Sequence, residues 1–208
     1  MKKMKNNIKK IAVMGGSFDP CHNGHINLAL DAKKQLVLEE VVLVPTKIQP
    51  FKINRKVAPD SDRLNMLKLA IEKFQGLRAC DIEIMQDDIS YTYKTLKNIK
   101  SFLGDGYKVY FLTGTDAFLE IEKWNNAEKL LKENSFLVGT RIGYKEEELE
   151  KIIDRVNENF NCEVIKIDNK KFEISSTEIR KKISSGQPIG DLVNKKVERY
   201  ILEHGLYK

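Results

Sequence analysis

Cysteine is scarce in this chain of 208 residues: Cys21, Cys80 and Cys162 stand far apart and are odd in number. No C-x-x-C occurs, which argues against a disulfide framework or a cysteine zinc site and fits a reducing cytoplasm. No stretch approaches the ~18 consecutive apolar residues of a membrane span. The basic N-terminus, MKKMKNNIKK, leads only into IAVMGGSF. That run is too short for a signal peptide and lacks a small-residue cleavage pattern, so it reads as a solvated tail entering a strand. Two phosphate-binding signatures are also missing. Without G-x-G-x-x-G or G-x-x-x-x-G-K-[ST], neither a dinucleotide dehydrogenase nor a P-loop ATPase is favoured. Repeats and low-complexity linkers are absent. One domain over 1–208 is therefore expected, with a small helical part at about 174–208.

What is present suffices for a folded chain, since 41% of residues are hydrophobic, enough for a buried core. The formal charge of +6 suits anionic ligands. Acids and bases are nevertheless interspersed, as in KEEELEKIIDR, and form no basic stripe, so neither nucleic acid nor membrane is expected as a partner. Apolar spacing predicts strands at 8–14, 41–45, 79–84, 107–112, 135–139 and 162–167. Between them it predicts helices at 23–37, from Asp60 or Ser61 onward, and at 92–103, 127–133 and 145–159. The second of these places Leu64, Leu67, Ile71 and Phe74 on one face. Ser175-Ser176-Thr177-Glu178 has the S-x-x-E form of a capping box and opens a helix to about Ile183. A last helix near 194–204 closes at Gly205. The alternation predicts an α/β chain: a Rossmann-like doubly wound parallel sheet, helices on both faces, and the C-terminal helical part. Such sheets bind ligands at the carboxyl ends of their strands, which directs attention to the loops after Met14, Val44, Ile84, Leu112 and Ile167.

The first of those loops reads GGSFDPCHNGH, from Gly15 to His25. Gly15 and Gly16 let backbone approach a ligand, and the following helix start offers amides to an anion. His22 and His25, three apart, share one side of that helix and can both donate to phosphate oxygens. Gly24 leaves room between them. An H-x-x-H pair on its own is more often incidental than catalytic, and a zinc site would need a third ligand that is not evident nearby.

The whole string resembles the GG-x-F-D-P-x-H-x-G-H signature of bacterial nicotinate-nucleotide adenylyltransferases, within the nucleotidyltransferases that share H-x-G-H. Ser90-Tyr91-Thr92-Tyr93-Lys94-Thr95-Leu96 resembles the family's S-Y-T-x-x-T-L. Gly114-Thr115-Asp116 is similar to its G-x-D loop, and Ile174–Arg180 to its I-S-S-T-x-I-R. The second loop departs: Phe51 stands where the family carries histidine in P-x-x-x-x-P-H-K, while Lys52 keeps the cation.

The resemblance implies transfer of AMP from ATP to nicotinate mononucleotide, giving nicotinate adenine dinucleotide and pyrophosphate. It implies ATP contacts from Gly15, Gly16, Ser17, Phe18, Gly24, Gly114, Asp116, Arg141, Ser175, Ser176 and Thr177, with His22, His25 and Arg180 as the catalytic set. Mononucleotide contacts would come from Thr46, Lys47, Lys52, Tyr91, Thr92 and Trp124. The lone tryptophan, otherwise a core residue by default, would stack on the pyridine. Thr92 would also serve as a helix cap. Asp19 would chiefly order the glycine turn. Mg²⁺ would enter on the ATP phosphates, with no protein metal site. A homo-oligomer is compatible. The alternatives are an adenylyltransferase for nicotinamide mononucleotide or phosphopantetheine and, in another class, a non-enzymatic nucleotide- or RNA-binding protein.

Overall fold

The structure is a computed structural model that describes residues 8–47, 57–86, 89–140, 146–169 and 174–208. Six strands form one sheet: β1 Lys9–Gly16, β2 Glu40–Pro45, β3 Leu77–Ala79, β4 Tyr107–Gly114, β5 Ser135–Gly139 and β6 Val164–Ile167. Their order is β3-β2-β1-β4-β5-β6, and every pairing is parallel. Among the described residues the helices are α1 Asn23–Leu36, α2 Asp60–Ile71, α3 Thr92–Leu103, α4 Thr115–Phe118, α5 Ala127–Glu133, α6 Glu146–Phe160, α7 Ser176–Ser184 and α8 Lys195–Glu203.

Side chains alternate across each strand, and both faces of this sheet are buried. Ala12, Met14, Val41, Leu43 and Leu112 face one core with Ile26, Ala29, Leu67, Ile179, Val197 and Ile201 from α1, α2, α7 and α8. Ile11, Val13, Val42, Val44 and Phe111 face the other with Leu96, Leu130, Ile152 and Val156 from α3, α5 and α6. The expected Rossmann-like doubly wound sheet is therefore present. No helix among the described residues is long and apolar enough to cross a membrane.

Several local expectations shift. The strand expected at 79–84 is Leu77–Ala79 instead. Val41 donates to the Gly76 carbonyl and Cys80 to that of Leu43. The next donor in that ladder would be residue 45, which is proline and has no N–H to give. The chain turns instead, with Met85 donating to Asp81 and Gln86 to Glu83. Pro59 rather than Asp60 or Ser61 takes the N-cap position of α2. Tyr91 rather than Thr92 takes that of α3. The short α4 and a 3-10 turn at Ile121–Lys123 had no apolar period long enough to announce them.

The buried stripe of α2 also differs from the expected one, because it carries Arg63, 1% exposed, beside Met66, Leu67, Ala70 and Ile71. Its guanidinium donates to the Ser17 carbonyl at 2.7 Å, to the Ala58 carbonyl at 3.2 Å and to Asp60 at 2.5 Å. Arg63 thus ties the loop after β1 to the start of α2. Removing it leaves two carbonyls without that donor, a cost that exceeds the loss of packing. Arg63→Met should destabilise the protein by roughly 2–4 kcal/mol in urea unfolding. A loss within about 0.5 kcal/mol, the usual surface range, would contradict this role.

Candidate active site

β1 and β4 are neighbours in space, but the chain leaves them toward opposite edges of the sheet, so a crevice opens at their carboxyl ends. The register shows the opening. β1 pairs with β2 out to Gly16↔Pro45, whereas its pairing with β4 stops at Val13↔Phe111. Two cavities meet there, of about 490 and 330 Å³, and both are walled by Gly15, Gly16, Thr113, Asp116 and Ala117.

The smaller cavity gathers most of the expected catalytic and ATP-binding residues: Ser17, His22, Gly24, His25, Gly114, Ser175, Ser176, Thr177 and Arg180. His22 is the N-cap of α1, and its backbone N–H donates to His25 Nδ1 at 3.3 Å. Nδ1 facing that N–H leaves Nε2 as the ring nitrogen of His25 that can donate. The two imidazoles stack with centroids 3.6 Å apart, and Phe18 packs edge-on to His25 at 5.0 Å. Phe18 is fully buried and lines neither cavity; it supports the ring from behind. The first amide of α1, on Asn23, is taken by the Leu192 carbonyl, so that donor is not available to an anion.

Across the cavity, Ser175 caps α7 by accepting from the Glu178 N–H, as the S-x-x-E pattern predicts. The Ser176 hydroxyl donates to the Pro20 carbonyl, which fastens α7 to the loop after β1. Arg180 donates to the Asp19 carbonyl at 2.6 Å and to Thr177 at 3.3 Å. Asp19, 1% exposed, also accepts from the Ala58 N–H. It therefore organises more than the glycine turn.

The larger cavity is lined by Thr46, Tyr91, Thr92 and Trp124 of the expected set, together with Val13, Phe111 and Glu83. Phe111 meets Trp124 edge to face at 5.9 Å and fixes one side of the indole. Lys47 lines neither cavity; its N–H donates to Ser90 Oγ. Lys52 and Arg141, like Phe51, lie outside the described residues. Glu83 accepts from the Thr95 hydroxyl, which also reaches the Tyr91 carbonyl. Burial raises the Glu83 carboxyl above its ordinary range, opposed by hydrogen bonds from Thr95 and Ser90 and by the Arg63 charge.

Arg63, Glu83, Phe111 and Asn169 were missed as site-shaping residues. Asn169 holds the Thr140 backbone at the rim of the smaller cavity. A lone arginine, glutamate or asparagine in an amphipathic stretch gives no sequence signal. Burial pushes the Cys21 thiol far up and that of Cys162 up to about 12, which disfavours a thiolate at these two positions.

The cytidylyltransferase-like family model matches residues 13–182. A relative from Clostridium botulinum Okra, named a probable nicotinate-nucleotide adenylyltransferase, is 38% identical, covering 95% of this chain and 98% of the relative. One of the same name from C. botulinum Eklund 17B is 35% identical over 97% of this chain and 99% of its own length. Among solved structures, Plasmodium falciparum nicotinic acid mononucleotide adenylyltransferase complexed with NaAD superposes with a TM-score of 0.79. It is 26% identical and covers 96% of this chain and 97% of its own.

Packing does not require glycine at position 15. A Cβ there would meet only the edge of the Phe111 ring at 3.5 Å, an ordinary contact. The bare backbone in the shared wall of both cavities leaves room for a ligand to approach closely. Gly15→Ala should leave the unfolding transition near the parent's while lowering kcat/KM by about tenfold or more. Parent-like kinetics would show that nothing passes close over Gly15.

Proposed function

The chain belongs to the cytidylyltransferase-like family, among its nicotinate-nucleotide adenylyltransferases, and from that premise we propose that it transfers AMP from ATP to nicotinate mononucleotide, releasing pyrophosphate in NAD biosynthesis. The observation that carries this reading is the pair of cavities sharing one glycine wall. The smaller cavity, with two imidazoles, a guanidinium and the start of α7, has the chemistry of a polyphosphate site. The larger, with Trp124, Phe111 and Tyr91, has the chemistry of a flat ring site. One substrate in each brings an acceptor phosphate and an α-phosphorus together at Gly15 and Gly16.

The step is an in-line displacement. An oxygen of the mononucleotide phosphate bonds to the α-phosphorus of ATP, and the bond from that phosphorus to the bridging oxygen of pyrophosphate breaks. The nucleophile is already an anion near neutral pH, so the protein needs no strong base; it positions the groups and stabilises charge. His22 and His25 hold the triphosphate at the transferring phosphorus. Arg180 and the start of α7 hold the departing pyrophosphate. Gly114 and Asp116 flank the adenosine, a contact for which the family resemblance also implies Arg141. Thr46 meets the acceptor phosphate, where the family resemblance also implies Lys47 and Lys52, and Tyr91, Thr92 and Trp124 hold the pyridine.

Among the described residues no cluster of three or more His, Cys, Asp or Glu could hold a metal ion. Mg²⁺ would enter with ATP as part of the substrate, where it would offset the phosphate charge. The three thiols are unpaired, which fits work in a reducing cytoplasm. Residues 1–208 act as one catalytic domain, because α7, in the helical part after β6, supplies half of the polyphosphate site.

Pyrophosphate release should be at least about tenfold faster with nicotinate than with nicotinamide mononucleotide, since only the first carries a carboxylate. In the same assay His25→Ala should lower kcat roughly 10²–10³-fold with the fold intact. Equal rates on both acceptors would overturn the substrate assignment, and a near-normal His25→Ala rate would remove His25 from the mechanism.

A further inference from the structure

α8 ends at Glu203, Gly205 with its φ of +60° turns the chain back, and Leu206 donates to the Ile201 carbonyl. Leu206 and Tyr207 then pack against the core shared by α1, α2 and α7. From there the Tyr207 hydroxyl donates to Asp19 Oδ1 at 2.7 Å. Asp19 belongs to the loop after β1, and its other oxygen, Oδ2, stands 3.4 Å from Arg180 Nη1. The segment after α8 thus reaches a carboxylate that sits directly behind a proposed anion-binding arginine.

The geometry at Asp19 is uneven. Arg180 makes its short contact, 2.6 Å, to the neutral Asp19 carbonyl, while its contact to the carboxylate is long. Oδ1 is held away by two donors, the Ala58 N–H at 3.0 Å and the Tyr207 hydroxyl. A phenol–carboxylate bond of this length is charge-assisted and strong. Burial and the neighbouring Asp19 raise the phenol far above its ordinary range, so it remains a donor. Without it the buried carboxylate would keep one donor on Oδ1 and could close on Arg180 as a tight pair. That would set Asp19 in competition with a phosphate for the same guanidinium.

We propose that Tyr207 is a positioning residue for the triphosphate half of the cleft: by holding Asp19 at Oδ1 it keeps that carboxylate from closing on the Arg180 guanidinium in competition with the substrate's phosphates. This rests on the reading of Arg180 as a phosphate ligand. Tyr207 touches no substrate and works only through Asp19. Its effect should therefore fall on ATP and pyrophosphate, not on the mononucleotide.

Tyr207→Phe removes the hydroxyl and keeps the ring. In the full-length chain it should raise KM for ATP about three- to tenfold, and likewise KM for pyrophosphate in the reverse reaction. KM for nicotinate mononucleotide should stay within about twofold of the parent. Arg180→Lys alone should also raise KM for ATP, and adding Tyr207→Phe to it should change that value by less than about twofold. An unchanged ATP constant in Tyr207→Phe, equal rises for both substrates, or full additivity with Arg180→Lys would overturn the role of Tyr207 while leaving that of Arg180 standing. If Arg180→Lys leaves the ATP constant untouched, the reading of Arg180 fails and this proposal falls with it.

Discussion

The pairing of β1 with β4 begins at Lys9↔Tyr107 and ends at Val13↔Phe111, although both strands run on for three more residues. Everything at the site follows from where that ladder stops. On one side of the seam the chain turns into α1 and delivers two histidines; on the other it turns into α4 and delivers Asp116. Gly15 and Gly16 lie on the floor between them, still hydrogen-bonded to β2 and therefore fixed. A rigid floor with no side chains is what in-line transfer needs, because two anionic groups must come within bonding distance without a protein atom between them. A different constraint holds at Gly114, where a Cβ would lie 2.8 Å from the Asp116 carboxylate.

The loop that climbs out of β1 is irregular and mostly buried, so its polar atoms must be satisfied by other elements. Arg63 takes the Ser17 carbonyl from α2, Ser176 the Pro20 carbonyl from α7, and Arg180 the Asp19 carbonyl. Asp19 is satisfied by Ala58 and Tyr207. These contacts couple stability to function, since the groups that fix the loop also set the histidines and the guanidinium. α8 reinforces the arrangement by holding α2, through Tyr200 with Asp62 and Asn65, and through Lys196 with Glu72.

Much of this was legible in the sequence. The short apolar runs placed the strands because both faces of the sheet are buried, so the strands stand out against charged helices. The capping box at Ser175 announced α7 because its hydroxyl and the Glu178 amide are local partners. The glycine-histidine string marked the site because few other needs put so much glycine and imidazole at a strand end. What stayed hidden depends on distant partners. Arg63 reads as a surface residue until Ser17 and Ala58 are brought to it, and the shortness of β3 is set by a proline in a different strand. Thr92 looked like a cap, yet it is the Thr95 hydroxyl, held by the buried Glu83, that reaches the Tyr91 carbonyl at that helix start. Most residues the motifs named line one of the two cavities, while Phe18 and Lys47 line neither; the fold shows that the two sets share one glycine wall.

The chain has three histidines, and the third, His204, lies exposed at the end of α8, stacked on Tyr200. Imidazole NMR can therefore report the polyphosphate chamber with an internal control. On adding a nonhydrolysable ATP analogue, the ring signals of His22 and His25 should move together and saturate together while those of His204 stay in place. Binding of the analogue, established by calorimetry, with the His22 and His25 signals unmoved would contradict the central claim that this pair grips the triphosphate.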